Sequence, residues 1–250
     1  MLVTDKFVFV HLPRSGGTFV SEVIRKFFPS AHEIGYHLPR ILLPKEYSHL
    51  PVLGGVRNPW EFYVSWYRHH HSSNRYSPSR NVLFCCLSEN RKLDFVQTIR
   101  NALELGVRDD KLGALIQALP ENFDYEKTHI PNLTKDVMWK IRGTAIGLYT
   151  FRFNQMFGEA DDIVFCRVES LRSDLMGFFE TIGVASDALR SYVLGLDKKN
   201  ISEHLHYSTY YTPELAELVS IRDRPLIERF GYVFEQASSV NPRLDGSQNL

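Results

Sequence analysis

Apolar residues fall along the chain in two kinds of run, and each predicts a different element. Apolar stretches bounded by turn residues, "FVFV" at 7–10, "PVLGGVR" at 51–57 and "DIVFCRVE" at 162–169, read as strands, the first of them as one buried on both faces. Apolar positions three and four apart read as helices. After the glycines at 16 and 17, Phe19, Val23, Ile24 and Phe27 line one side of a helix that Thr18 is placed to cap and Pro29 to end. Residues 60–71 carry Tyr63, Val64 and Tyr67 at helical spacing, and 170–183 carry Leu171, Leu175, Phe178 and Phe179 behind a capping Ser170. A further extended piece fits 32–37. Between 71 and 153 the periodic stretches "KLDFVQTIRNALEL" and "KLGALIQAL" are helical, which predicts a helical cover over a sheet edge. Strands alternating with helices give an α/β class: a three-layer fold with a central, mostly parallel sheet flanked by helices.

The 250 residues suffice to bury a substantial core as one unit, so 1–235 read as a single domain. Residues 236–250, polar and turn-rich, read as a poorly ordered tail. With 29 basic and 29 acidic residues, no general field recruits nucleic acid or an anionic membrane, and any anion site must be local. No apolar run reaches the roughly 20 residues that span a bilayer, and the N-terminus enters a strand, so a cytoplasmic protein with no membrane span is expected. The three cysteines, Cys85, Cys86 and Cys166, have neither metal-ligand nor disulfide spacing. His69, His70 and His71 are consecutive. On a helix they point about 100° apart and cannot converge on one ion.

Chemistry concentrates where the first strand turns into the first helix. In "HLPRSGGTF" the glycine turn would present backbone N–H groups and the positive end of a helix dipole to an anion. Such a turn also serves plain packing, and no Gly-Lys-Ser/Thr follows it, which disfavours an ordinary magnesium-dependent kinase. A second motif, "GGVRNPWEFYVSWY" at 54–67, changes the weight of the first.

Together they resemble the sulfotransferase superfamily, in motif style its carbohydrate-modifying branch. That family carries a Pro-Lys/Arg-Ser/Thr-Gly-Gly/Thr-Thr loop, then Arg-Asp/Asn-Pro with a serine eight residues after the arginine. Here these are Pro13-Arg14-Ser15-Gly16-Gly17-Thr18, then Arg57-Asn58-Pro59 and Ser65. The segments 168–184 and "YYTPELAELV...FGYVFE" extend the likeness to most of the chain; it is weakest across about 72–140.

The resemblance implies a P-loop-like fold and a co-substrate, 3′-phosphoadenosine 5′-phosphosulfate (PAPS), with 3′-phosphoadenosine 5′-phosphate (PAP) as product and no metal required. Ser15, Gly16, Gly17 and Thr18 would hold the 5′-phosphosulfate. Arg14, where the family usually has lysine, would stabilise charge on the departing phosphate as a permanent cation and never as a proton donor. Arg57 and Ser65 would take the 3′-phosphate. Lys198, Lys199 and Asn200 stand in place of the family's C-terminal donor-binding loop, although paired lysines equally suit a solvated loop.

In-line transfer to a hydroxyl acceptor needs a general base. "AHEIGYHLP" offers His37 first, through its likeness to a glycine-histidine turn of the carbohydrate branch, and Glu33 second; a histidine hydrogen-bonded in a loop is the alternative for His37. Trp60, Trp66, Tyr67, Tyr76, Phe84, Trp139 and Tyr149 suit either core packing or a cleft. The implied partner is a hydroxyl-bearing small molecule or carbohydrate. The alternatives are a P-loop kinase and a nucleotide-binding member without catalysis.

Overall fold

The structure is a computed structural model, described here for residues 1–72, 81–122, 133–159, 162–195 and 205–237. In chain order its elements are β1 (Leu2–Val3), β2 (Val8–Val10), α1 (Gly17–Phe27), β3 (His32–Glu33), β4 (Val52–Val56), α2 (Pro59–His71), α3 (Val82–Ser88), α4 (Phe95–Leu103), α5 (Asp109–Ala118), α6 (Lys135–Trp139), α7 (Leu148–Phe157), β5 (Ile163–Arg167), α8 (Leu171–Thr181), α9 (Asp187–Gly195), α10 (Pro213–Arg222) and α11 (Arg224–Phe230). Short 3₁₀ turns join several of them.

The strands form one sheet in the order β3-β1-β2-β4-β5. β2, β4 and β5 are parallel neighbours, whereas β1 runs antiparallel to both β2 and β3. Four of the five strands therefore point the same way, and β2 is central. Side-chain alternation splits the core into two faces. Phe7, Phe9, Leu53 and Cys166 pack against Val23 and Ile24 of α1 and Phe178 and Phe179 of α8. On the other face Val8, Val10, Val52, Val56 and Ile163 meet α2, α4 and α7 through residues such as Tyr63, Ile99, Tyr149 and Phe153. Both faces are covered, giving the three expected layers. Phe7 sits edge-on to Phe28 and Phe178 at ring distances of 5.0 and 5.3 Å, the favoured aromatic arrangement.

Several local expectations need correction. The piece at 32–37 is a strand only over His32–Glu33, because the backbone turns left-handed at His37 with φ of 51°. Thr18 does not cap α1. Gly16 does, at φ of 78°, so the helix begins two residues earlier than the cap pattern suggested. Ser170 stands at the start of α8 without capping it, since its hydroxyl donates to the Asp174 carboxylate instead. The two-residue β1 is too short for any periodic signal. α3, α4 and α5 pack on one another and, through α4, on α2 and α10, making a cover over the helical layer more than over a sheet edge.

The turn after β2 lies directly on β4. A Cβ added at Gly55 would collide with the backbone carbonyl oxygen of Ser15, which has nowhere to move. Changing Gly55 to alanine is expected to cost about 1–3 kcal/mol through this overlap. A thermal melt should show a drop of several degrees, and an unchanged Tm would show that the loop yields.

Candidate active site

Two chain reversals meet at the ends of β2 and β4. β2 feeds the turn His11–Gly16 and then α1, whose first turn holds no acidic residue and whose N-terminus is capped by no side chain. Its leading N–H groups, with the helix dipole, face the same space. β4 ends at Val56, just before Arg57, and Asn58 then accepts the Trp60 N–H to start α2 with Pro59 in its first turn.

Arg14 adopts φ of 66°, a left-handed conformation that a non-glycine residue holds only when its surroundings impose it. Its Nε and Nη2 donate to Ser65 Oγ at 3.1 and 2.9 Å, so loop and α2 are tied through one guanidinium. Arg57 Nη2 donates to Glu61 Oε1 at 2.9 Å, and its Nη1 to the Arg14 carbonyl at 3.4 Å. Arg57 Nε is buried and has no hydrogen-bond partner among the described residues. Burial, together with the charge of Arg57, pushes the Arg14 pKa down to about 10. Arg14 remains cationic at neutral pH. The structure therefore brings Arg14, Arg57 and Ser65 together beside Ser15, Gly16, Gly17 and the exposed Thr18. Lys198, Lys199 and Asn200 lie outside the described residues.

Arg57 is fixed by a relay that residue patterns do not reveal. Its N–H donates to Tyr149 Oη at 2.9 Å and its carbonyl accepts from the same hydroxyl at 3.1 Å. The Tyr149 N–H donates to Tyr63 Oη, which donates to Asp223 Oδ2 at 2.8 Å. Asp223 Oδ1 accepts from both the N–H and the hydroxyl of Thr150. Asp223 is wholly buried, and desolvation raises its pKa to about 6 despite these donors. Tyr149, open in the sequence between cleft and core, is core: its ring stacks on Phe62 at 3.8 Å while its hydroxyl holds Arg57. Glu169 Oε1 accepts the Asn58 N–H at 2.7 Å and steadies the same corner.

The two base candidates separate. His37 is 7% exposed and its Nδ1 lies 2.7 Å from the His11 carbonyl oxygen. A carbonyl only accepts, so Nδ1 carries the proton and Nε2 the lone pair. Burial, then the neighbouring His11, lowers the His37 pKa well below its ordinary value, so the ring is neutral. His11, not singled out from the sequence, packs its ring against the Gly17 backbone and 4.4 Å from that of His37. Burial and nearby cations including Arg14 push its pKa to about 4. Glu33, in contrast, sits on the outermost strand and is ion-paired at 2.6 Å with Arg25 in the last turn of α1, away from the helix N-terminus. The structure does not bring Glu33 to the loop. Of the triple histidine, His70 bonds Asn81 through Nδ1 at 2.9 Å and His71 stacks on Tyr67. Among the described residues no cluster of three or more histidines, cysteines or carboxylates could hold a metal ion. None of their helices is long and apolar enough to cross a membrane.

The chain is thus a P-loop-like α/β protein whose glycine turn opens beside two arginines. Among solved structures, its fold is similar to that of mouse sulfotransferase SULT7A1 complexed with PAP, at 12% identity over 88% of this chain and 85% of that chain, with a TM-score of 0.44. No protein-family model matches the sequence. No curated protein matches it either.

Buried neutral histidines make stability fall with acid. His11 and His70 resist protonation down to about 4 in the folded state and His37 resists it too, whereas unfolded histidines take up protons near 6.5. Between these values the unfolded chain binds more protons, so acid favours unfolding. Asp223 acts oppositely, since its raised pKa makes the folded state bind a proton first as pH falls. His69 adds to the histidine side and Glu169, raised by burial, to the carboxyl side; four histidines outweigh two carboxyls, so melting temperature should fall as pH is lowered from about 6.5 towards 4. A flat or rising profile in that window would contradict the neutral state of these rings.

Proposed function

We propose that the protein is a PAPS-dependent sulfotransferase acting on a hydroxyl acceptor. The observation that carries this is the pairing of two largely buried guanidinium groups, Arg14 and Arg57, at the start of α1, which no side chain caps, with one carboxylate, Glu61, ion-paired to Arg57. Such a corner suits a ligand with two separate anionic groups. The orphaned Arg57 Nε is a donor that a phosphate oxygen would satisfy. Ser65, already at hydrogen-bond distance from Arg14, lies where it can serve either group.

In the proposed reaction the acceptor oxygen attacks sulfur and forms the new O–S bond. The bond between sulfur and the bridging oxygen breaks, and its electron pair stays on the 5′-phosphate of the departing PAP. The acceptor proton passes to His37 Nε2. Arg14 and the N–H groups of Ser15 to Thr18 face the oxygens on which charge grows, so their attraction is stronger in the transition state than before it. As a cation that does not release a proton, Arg14 contributes field alone. The chemistry asks for no metal.

Labelled sulfate transfer, or PAP release with a panel of hydroxyl acceptors, tests the proposal, with calorimetry of PAP and of ATP with magnesium in parallel. PAP should bind more tightly than ATP. Arg57→Ala should weaken PAP binding about tenfold or more, and Arg14→Ala should reduce kcat more than donor affinity. Absence of PAP binding would remove the proposal, and tighter ATP binding would favour a kinase. PAP binding without turnover on any acceptor would instead mark a nucleotide-binding protein without catalysis.

A further inference from the structure

Beside the loop lies a cavity of about 370 Å³ whose walls are mostly apolar, with His70, Asn81 and Arg152 the polar residues among them. Leu12 and Pro13 of the loop form one wall, and Trp66, Phe84 and Leu133 line others. Into this lining α7 brings Arg152, 5% exposed and so among the most deeply buried charged side chains described. Its Nη1 donates to Gln155 Oε1 at 2.7 Å, while its Nη2 is buried with no hydrogen-bond partner among the described residues. Among the described residues no carboxylate pairs with it, and burial pushes its pKa down to about 10.

A guanidinium held in an apolar wall with an unused donor is costly to the folded protein unless something anionic completes it. From the buried cation, its orphaned Nη2 and the apolar cavity that adjoins the loop, we infer that the cavity takes an acceptor of amphiphilic acid type. Its hydroxyl end lies by the loop, its apolar body fills the cavity, and a carboxylate or other anionic group pairs with Arg152. This rests on the sulfotransferase reading for the reaction, but not for the binding.

The placement has a chemical corollary. Arg152 is near enough to His37 for its charge to help hold that ring neutral. An anion on Arg152 cancels part of that field and makes Nε2 a stronger base, so the acid group would serve the reaction as well as the fit. An acceptor lacking it would meet a weaker base.

Calorimetry with octanoate and with octanamide, a pair differing in charge and little in shape, separates the inference from the reaction. The full-length protein should prefer octanoate by at least about tenfold. Arg152→Met should abolish that preference while keeping octanamide binding, and Arg152→Lys should restore part of it. Equal affinity for the two in the unaltered protein, binding of neither, or a preference that survives Arg152→Met would overturn the inference. Because the first comparison uses no variant, a folding defect in Arg152→Met cannot mask the result; its Tm is measured alongside. PAP binding, measured separately on both proteins, should be unchanged by Arg152→Met. Its absence from both would count against the sulfotransferase reading and leave the octanoate result standing. In turnover assays, hydroxy acids should exceed their methyl esters in kcat/KM by about tenfold, and equal values would also overturn the inference.

Discussion

Two like charges, Arg14 and Arg57, are held next to each other in a largely buried corner, and much of the surrounding structure exists to make that tolerable. Burial, and then the charge of Arg57, makes it harder for Arg14 to stay ionised. The compensation is specific: a hydroxyl for Arg14, a carboxylate for Arg57, and the carbonyl of one arginine accepting from the other. The left-handed backbone at Arg14 and the close seat of Ser15 on Gly55 follow from fitting a loop of this shape over a strand end. Strain and charge are concentrated at one place, as is common where a ligand supplies the missing term.

The corner is held from behind as much as from within. A line of hydrogen bonds runs from the Arg57 backbone through Tyr149 and Tyr63 to Asp223. It links the end of β4 to the junction of α10 and α11, more than 160 positions later in the chain. All four members of its buried portion are satisfied, which is what lets a carboxylate survive with no water around it. Asp223 also packs against Gly147 closely enough that any side chain there would strike its carboxyl group. The strand end is therefore positioned by the C-terminal helices and not by the loop alone.

The fold was legible in the sequence where burial was complete. Unbroken apolar runs at Val8–Val10 and Val52–Val56 carried their strands, and the glycine turn marked the helix behind the first one. Resemblance to a family motif singled out Arg57 and Ser65, side chains that the structure does bring together with Arg14. What stayed hidden depends on partners distant in sequence. Nothing local marks Asp223 as the end of a relay, or Tyr149 as a residue whose hydroxyl matters more than its ring. His11 gave a weak signal: a histidine closing an apolar strand beside glycines, whose ring is needed to fill the space they leave. Glu33 looked usable from its place beside His37 in the sequence, which does not show that Arg25 of α1 has already claimed it.

Glu61 gives the corner a property beyond charge. Four residues after Arg57 on the first turn of α2, it acts as a built-in counter-ion for the guanidinium, so the site is never bare. The fork therefore has one donor, Nη2, already engaged by a carboxylate and another, Nε, unpaired among the described residues. Any anion that took up Nε would stand beside the Glu61 carboxylate, and repulsion between the two would weigh against it unless the neighbouring Arg14 offset that charge.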